Sequence, residues 1–317
     1  MRHLFVVDPL ERLLPSADST IAFMREAARR GHEVWAGTVD GLSLRPGSQP
    51  RAVARALELH EGDRWYTLDR SEEADVDAFD VAWMRKDPPI DLEYLYATHV
   101  LAFAEPRTLV VNAAHALREA NEKLFVLRFP QLAPLTLVSR SVVELAAFRR
   151  ELGGEMVVKP LGGAGGESVF HIRKDDPNAS TILEVMTEHG RRFVMAQRYL
   201  EAIRHGDKRI VLVEGEPHGA VLRVPKAGEA RANFHAGGRA VATTLTERER
   251  EICATLAPSL REMGIVFAGI DVIGDYLTEV NVTSPTGIRE IAALDGVHIE
   301  RAVLDAVEAR RNQQSGV

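Results

Sequence analysis

The sequence predicts an α/β chain whose first 120 or so residues form a doubly wound domain and whose remainder is mixed α+β. In the first third, short apolar runs ended by turn residues alternate with helical segments, the pattern of strands joined by crossover helices. From about residue 121 the pattern changes, and strands flank glycine-bearing loops with no helix between them. The length of 317 residues agrees, since about 150 residues per domain allows two domains or one large subdivided body.

The elements follow in order. Residues 4–7 form a short apolar run stopped by Asp8-Pro9, and Ser19 or Thr20 can cap a helix over 21–30 that Gly31 closes. Strands follow at 34–36, 80–84 and 108–112, with an amphipathic helix over 91–105. Next come a helix over 141–151, a strand at 156–159, a glycine-rich loop over 162–166 and a strand at 169–172. A helix over 180–189 and strands at 193–197, 209–214 and 219–224 lead to a polar stretch, 225–239, read as a mobile loop. The last third holds a helix over 246–263, strands at 267–273 and 277–282, and a terminal helix ending near Arg311.

Composition narrows the function classes. Hydrophobic residues make up 45% and charged residues 27%, which is ordinary globular usage. The single cysteine, Cys253, excludes an internal disulfide framework and a cysteine-built zinc site, and is read as a small buried residue. Lys plus Arg number 39 against 46 Asp plus Glu, so the chain carries a net charge of −7 and nucleic acid is not an expected partner. No run approaches the ~18 apolar residues of a membrane span. The apolar start is too short for a signal peptide, so the expected location is the cytoplasm.

Three constellations carry chemistry. Gly162-Gly-Ala-Gly-Gly166 can bring backbone N–H groups close to an anion, yet it matches neither a Walker A loop nor a dinucleotide fingerprint. A strand, not a helix, follows it, and Lys159 closes the strand before it. Second, Glu279 and Asn281 lie two apart on one strand and so share a face; their oxygen donors suit Mg²⁺. Asp271 joins that face if residue 273 pairs with 277, and lies on the other face if Gly274-Asp275 is a two-residue turn. Third, Arg85 and Lys86 stand at the carboxyl end of a strand, and Arg209, Arg223, Arg231 and Arg239 surround the glycine-bearing loops as carboxylate or phosphate clamps would. Neither H-E-x-x-H nor G-x-S-x-G occurs, so metalloprotease and serine hydrolase readings drop out.

Taken together, Met84-Arg-Lys-Asp-Pro-Pro89, Asn121-Glu-Lys-Leu-Phe125, Gly206-Asp-Lys-Arg209, Gly237-Gly-Arg239 and Thr278-Glu-Val-Asn-Val-Thr-Ser-Pro285 resemble the bacterial glutathione synthetases of the ATP-grasp superfamily. The resemblance covers nearly the whole chain. It implies an ATP-grasp fold behind an N-terminal doubly wound domain: 1–122, then a central subdomain over 123–200, then a C-terminal subdomain over 201–317 with a lid at 225–241. The implied activity joins γ-glutamylcysteine to glycine with ATP, through an acyl phosphate, to give glutathione, ADP and phosphate. The superfamily also holds carboxylate–amine ligases for other acids and amines.

Residue by residue, the resemblance implies that Lys123, Lys159, Gly162, Gly163, Gly165, Gly166, Gln197, Tyr199, Leu200 and Asp207 hold ATP. Asp271, Glu279 and Asn281 would hold Mg²⁺, with Mn²⁺ as a substitute, and Arg209 would meet the acyl phosphate. Arg85, Arg223, Ser284, Arg231 and Gly238 would hold substrate. A cytoplasmic homotetramer is implied as well. Three places depart from the family pattern: Gly162, where an acidic residue is usual; Gly287, where a larger one is; and the step Lys226-Ala227 in the lid.

Overall fold

The computed structural model describes the chain apart from residues 63, 106, 164–167, 227–232, 234–236 and 317 and the side chain of 315. Gly165, Gly166, Arg231 and most of the expected lid therefore lie outside the described residues.

The N-terminal domain comprises β1 (Arg2–Val6), α1 (Ser19–Arg29), β2 (Glu33–Gly37), β3 (Leu42–Ser43), β4 (Arg51–Leu59), β5 (Tyr66–Asp75), β6 (Val81–Met84), α2 (Leu92–Ala102), β7 (Leu109–Val111) and α3 (Ala114–Glu119). The strands run in the order β3-β4-β2-β1-β6-β7, with β5 paired to β4. The parallel core β2-β1-β6-β7 is buried on both faces: Phe5 and Trp83 pack towards α1, Leu4, Val6, Ala82 and Met84 towards α2. The antiparallel β4–β5 arm does not announce itself as apolar runs, because it lies at the edge with charged side chains such as Arg51, Glu73 and Asp75 paired across it.

Helix α1 begins one residue earlier than its expected caps. Asp18 is the N-cap, accepting from the Thr20 amide at 2.6 Å. Ser19 and Thr20 are used across the fold instead: the Ser19 hydroxyl donates to the Pro285 carbonyl at 3.0 Å, and the Thr20 hydroxyl accepts from Arg85 Nε at 3.1 Å.

The central subdomain is a four-stranded antiparallel sheet in the order β10-β9-β11-β8, backed by two helices. Its elements are β8 (Thr136–Ser139), α4 (Val142–Glu151), β9 (Met156–Pro160), β10 (Phe170–Ile172), α5 (Ala179–Met186) and β11 (Val194–Arg198). The C-terminal sheet follows with β12 (Asp207–Val213), β13 (Glu216–Val224), β14 (Arg239–Ala242), α6 (Glu247–Glu262), β15 (Phe267–Ile273) and β16 (Tyr276–Asn281), all antiparallel in the order β14-β13-β12-β15-β16. Helices α7 (Ile288–Asp295), which the sequence reading passed over, and α8 (Ile299–Ser315) complete the chain.

Period-two alternation divides this last sheet. Ile210, Leu212, Ile270 and Val272 face α6, while Val211, Val213, Val221 and Phe267 face α7 and α8 and merge with the N-terminal core. Helix α8 lies against α1, where Arg30 bridges Glu26, Asp305 and Glu308. Buried Asn112, just past β7, fastens the two bodies together. Its amide nitrogen donates to the carbonyls of Phe267 (2.8 Å) and Val282 (2.6 Å), and its oxygen accepts from the amides of Val266 (2.8 Å) and Phe267 (3.0 Å).

Beneath α1 runs a buried polar chain of defined direction. Trp83 Nε1 can only donate, so His3 Nδ1 accepts from it at 3.0 Å and His3 carries its proton on Nε2, 3.0 Å from His32 Nδ1. Burial first, then His32 and the chain's amino terminus, hold His3 down at about 3.

Two predictions follow from this junction. Asn112→Leu removes four buried hydrogen bonds and strands their backbone partners, so urea unfolding should show a loss of about 3 kcal/mol or more; a loss under 1 kcal/mol would mean the two bodies do not depend on it. His3 is ordinary, at about 6.5, when unfolded, so its contribution is full above that pH and is lost as pH falls towards 3. The difference in unfolding free energy between the protein and His3→Gln should therefore shrink by about 1.4 kcal/mol per pH unit on acidification. A difference that grows instead has the wrong sign for a buried neutral imidazole.

Candidate functional site

The site is built on the end of the C-terminal sheet that α7 and α8 leave open. Register places Asp207 opposite Arg223 and Arg209 opposite Asp271, so all four side chains project from the face that carries Val211 and Val221 further along. Arg209 grips Asp271 with both edges of its fork, Nε to Oδ1 at 2.5 Å and Nη2 to Oδ2 at 2.9 Å. Arg223 grips Asp207 in the same way at 2.6 and 2.7 Å, and its Nη2 lies 2.9 Å from Asp271 Oδ1. Two guanidiniums and two carboxylates thus alternate in one buried lattice.

Strand β16 joins this face by an irregularity. Ile273 pairs with Tyr276 across a two-residue turn, the arrangement expected to send Asp271 to the opposite face. A β-bulge corrects it: Val272 pairs with Leu277 but Asp271 with Glu279, leaving Thr278 as the extra residue, its hydroxyl donating to the Asp271 carbonyl at 3.0 Å. Leu277 and Val280, three apart, consequently both reach the core under α6, while Glu279 and Asn281 stand beside Asp271. Asn281 Nδ2 donates to Asp271 Oδ2 at 3.3 Å, which leaves the amide oxygen of Asn281 uncommitted by that bond.

Two lysines approach from the other side. Lys159, the buried fourth residue of β9, places Nζ 3.4 Å from Glu279 Oε1; Lys123 Nζ is 3.8 Å from the same oxygen and donates to the Gly163 carbonyl at 2.6 Å. Lys123 therefore ties Gly163 of the glycine-rich loop to the β15–β16 hairpin. Asn121 sets it there: its Oδ1 accepts from the amides of Lys123 and Leu124, and its Nδ2 donates to the Leu161 carbonyl. A Cβ on Gly162 would meet nothing within 4 Å, so the departure at that position is sterically neutral.

The electrostatics differ from residue to residue. Burial pushes Asp271 up, but Arg209 and then Arg223 outweigh it and hold the carboxyl well below the usual range. Asp207 has Arg223 as its direct partner and Asp271 as a like-charged neighbour, and burial pushes it up. Burial pushes Lys159 down, with Glu279 opposing. Burial, then Glu279, pushes Glu122 up; its Oε1 accepts from the Thr283 hydroxyl at 3.0 Å.

The remaining expected residues are more dispersed. Gln197 donates to the Thr136 hydroxyl at 3.0 Å on the neighbouring strand, Tyr199 stacks on His171 with ring centroids 3.8 Å apart, and Leu200 follows at the rim of the central sheet. Arg85 is only 5% exposed and lies over the rings of Phe23 and Phe267, with Nη1 donating to the Thr283 carbonyl at 2.7 Å. As placed, it pins the 283–286 loop to the N-terminal domain. Ser284 donates to the Lys86 carbonyl at 3.2 Å. Gly238 donates its amide to the Asn233 carbonyl at 3.1 Å, and the Lys226 ammonium crosses where a Cβ on Gly237 would sit. Sequence reasoning gave no role to Thr278, Thr283 or Glu122, whose contacts come from a bulge and from segments far apart in the chain and so carry no spacing signal of their own. Among the described residues no group of three or more His, Cys, Asp or Glu could hold a metal ion; Asp271, Glu279 and Asn281 present two carboxylates and one amide.

Comparison with known proteins gives a consistent result. Residues 1–118 match the family model for the N-terminal domain of prokaryotic glutathione synthetase, and residues 122–296 match the model for its ATP-grasp domain. The glutathione synthetase of Synechococcus elongatus is 46% identical over 324 residues, covering 99% of this chain and 100% of that protein. The one from Parasynechococcus marenigrum is 50% identical over 295 residues, covering 93% and 94%. Among solved structures, a D-cycloserine synthetase superposes with a TM-score of 0.66 at 16% identity, covering 99% and 100% of the two chains. A RimK-domain ATP-grasp protein from Sphaerobacter thermophilus does so at 0.63 and 21%, covering 97% and 99%. At such identities the likeness shows the ATP-grasp fold and nothing finer.

The lattice itself is testable. Arg223→Met leaves Asp207 and Asp271 facing each other without their shared cation, and removing one member of a buried charged set costs about 3–5 kcal/mol. Denaturant unfolding should register that loss; a variant within 1 kcal/mol of the parent would mean the lattice is not what holds this end of the sheet together.

Proposed function

The chain belongs to the prokaryotic glutathione synthetase family, and from that premise we infer how its residues divide the work. It is an ATP-dependent ligase that forms glutathione. The observation that carries the assignment of roles is the single sheet face on which Asp271, Glu279 and Asn281 stand between two arginines and two lysines. A carboxylate attacking a polyphosphate brings two anions together, and a site for that step needs fixed cations on both.

In this reading Lys123, Lys159 and the glycines of the 162–166 loop hold the nucleotide phosphates, while Gln197, Tyr199 and Leu200 lie along the base and Asp207 reaches the ribose. The oxygen-only set Asp271, Glu279 and Asn281 suits Mg²⁺, with Mn²⁺ as a substitute, and two carboxylates with substrate phosphates are the usual holders of that ion. When bound, the ion neutralises charge on the transferring phosphoryl group. Arg209 meets the acyl phosphate made from the dipeptide's terminal carboxylate. Arg223 orders Asp207 and Asp271 and, with Arg231, Gly238 and Ser284, faces substrate; Arg85 serves the same end by fixing the 283–286 loop. Residues 225–241 close over the acyl phosphate, which hydrolyses unless water is excluded.

No helix among the described residues is long and apolar enough to cross a membrane. A cytoplasmic homo-oligomer, a tetramer by family resemblance, is our reading of the assembly; exposed Leu92, Tyr96 and Phe103 on or beside α2 support it.

ADP release with ATP and Mg²⁺, adding γ-glutamylcysteine and glycine separately and then together, tests the assignment. Turnover should require both, with glutathione formed in step with ADP. Glu279→Gln should lower that turnover about a hundredfold or more with the unfolding curve unchanged; normal activity in this variant would sink the metal assignment.

A further inference from the structure

Beside the lattice stands a carboxylate that none of these roles uses. Glu290 lies in the first turn of α7, whose leading residues touch Arg209: the Thr286 carbonyl accepts from Arg209 Nη1 at 3.0 Å, and a Cβ on Gly287 would lie 3.2 Å from Arg209 Cγ. The residue is half-buried, and its Oε2 is fully covered and has no hydrogen-bond partner. A buried carboxylate oxygen without a donor is a cost to folding that the packing around it does not return.

The other carboxylates of the site are committed. Asp207 and Asp271 are each held by both edges of an arginine fork, Glu279 by two lysines and Glu122 by Thr283. The cations around them serve anions. The second substrate, however, arrives with an ammonium, and its nitrogen must shed a proton beside the group that Arg209 holds. Burial pushes the Glu290 carboxyl up, against the pull of Arg209, Arg289 and Arg223, and a carboxylate so raised is the better proton acceptor.

We propose that Glu290 receives the ammonium of glycine and takes the proton its nitrogen must lose before attacking the acyl phosphate. The proposal rests on the reading of Arg209 given above. One proton passes from the ammonium to the Glu290 carboxylate, and the freed lone pair forms the C–N bond at the acyl carbon. The bond from that carbon to the phosphate oxygen breaks, its electron pair leaving on the phosphate. The second nitrogen proton goes to the departing phosphate, giving hydrogen phosphate, and Glu290 releases its own to solvent. The ammonium at the γ-glutamyl end of the dipeptide is a poorer match, because it lies at the far end of the chain from the reacting carboxyl that Arg209 meets.

The test replaces glycine with hydroxylamine, which is uncharged at neutral pH and needs neither an ammonium site nor a base. In Glu290→Gln, kcat/KM for glycine should fall about a hundredfold or more, while hydroxamate formation from γ-glutamylcysteine stays within about threefold and KM for the dipeptide is unchanged. Glu290→Asp should recover part of the glycine rate. Equal loss with both nucleophiles would assign Glu290 to the phosphoryl-transfer step or to folding, and a raised KM for the dipeptide would assign it to the γ-glutamyl ammonium; either overturns the proposal, as does an unchanged glycine rate. Absence of hydroxamate with the unsubstituted protein would instead overturn the acyl-phosphate reading, and this proposal with it.

Discussion

The alternation of Asp207, Arg223, Asp271 and Arg209 on one sheet face is the constraint to which the rest of the structure answers. A buried guanidinium is tolerable only when its charge is met, and each of these meets a carboxylate through two parallel hydrogen bonds. The set is balanced, two against two, so the sheet end can be buried without demanding an outside counterion. It also orders the neighbourhood. Asp271 is fixed by Arg209 and Arg223, Asn281 is fixed by Asp271, and the Arg209 fork fixes the 283–286 loop through the Thr286 carbonyl. A site that must bind several anions is thereby preorganised before any of them arrives.

That loop is held from the opposite side by the N-terminal domain. Ser19 and Arg85 take the carbonyls of Pro285 and Thr283, and Asn112 takes that of Val282. Arg85 reaches its carbonyl through an apolar slot between Phe23 and Phe267, where burial alone depresses its charged form. Nothing in such an arrangement tolerates sliding between the bodies. The N-terminal domain thus holds the 283–286 loop against the sheet that bears the arginines.

How much of this was legible in the sequence depended on whether a feature is local. The buried parallel strands, most helices and the paired donors Glu279 and Asn281 follow from apolar runs and period-two spacing, which are properties of adjacent residues. The placement of Asp271 does not. Two turn lengths were open there, each placing Asp271 on a different face, and the structure takes the two-residue turn yet brings Asp271 to the face of Glu279 through a bulge at Thr278 that turn length does not encode. The β4–β5 arm was invisible for a related reason: its inward face is made mostly of alanines (Ala52, Ala54, Ala74) and its outward face of cross-strand charge pairs, so no strong apolar alternation marks it. Asp18 displaced the expected caps because Ser19 and Thr20 were needed by partners 266 and 65 residues away.

The same distinction explains why lysines and arginines divide as they do. Lys123 and Lys159 reach a single oxygen of Glu279 at 3.8 and 3.4 Å, loose contacts by point charges on flexible stems, which a polyphosphate can outcompete. The arginines bind their carboxylates at 2.5 to 2.9 Å in planar forks that a substrate anion does not displace without breaking two hydrogen bonds at once. In the proposed division of roles the loose lysine contacts are the ones a nucleotide's phosphates would replace in each cycle, whereas the arginine forks keep the carboxylates at the sheet end in one geometry throughout.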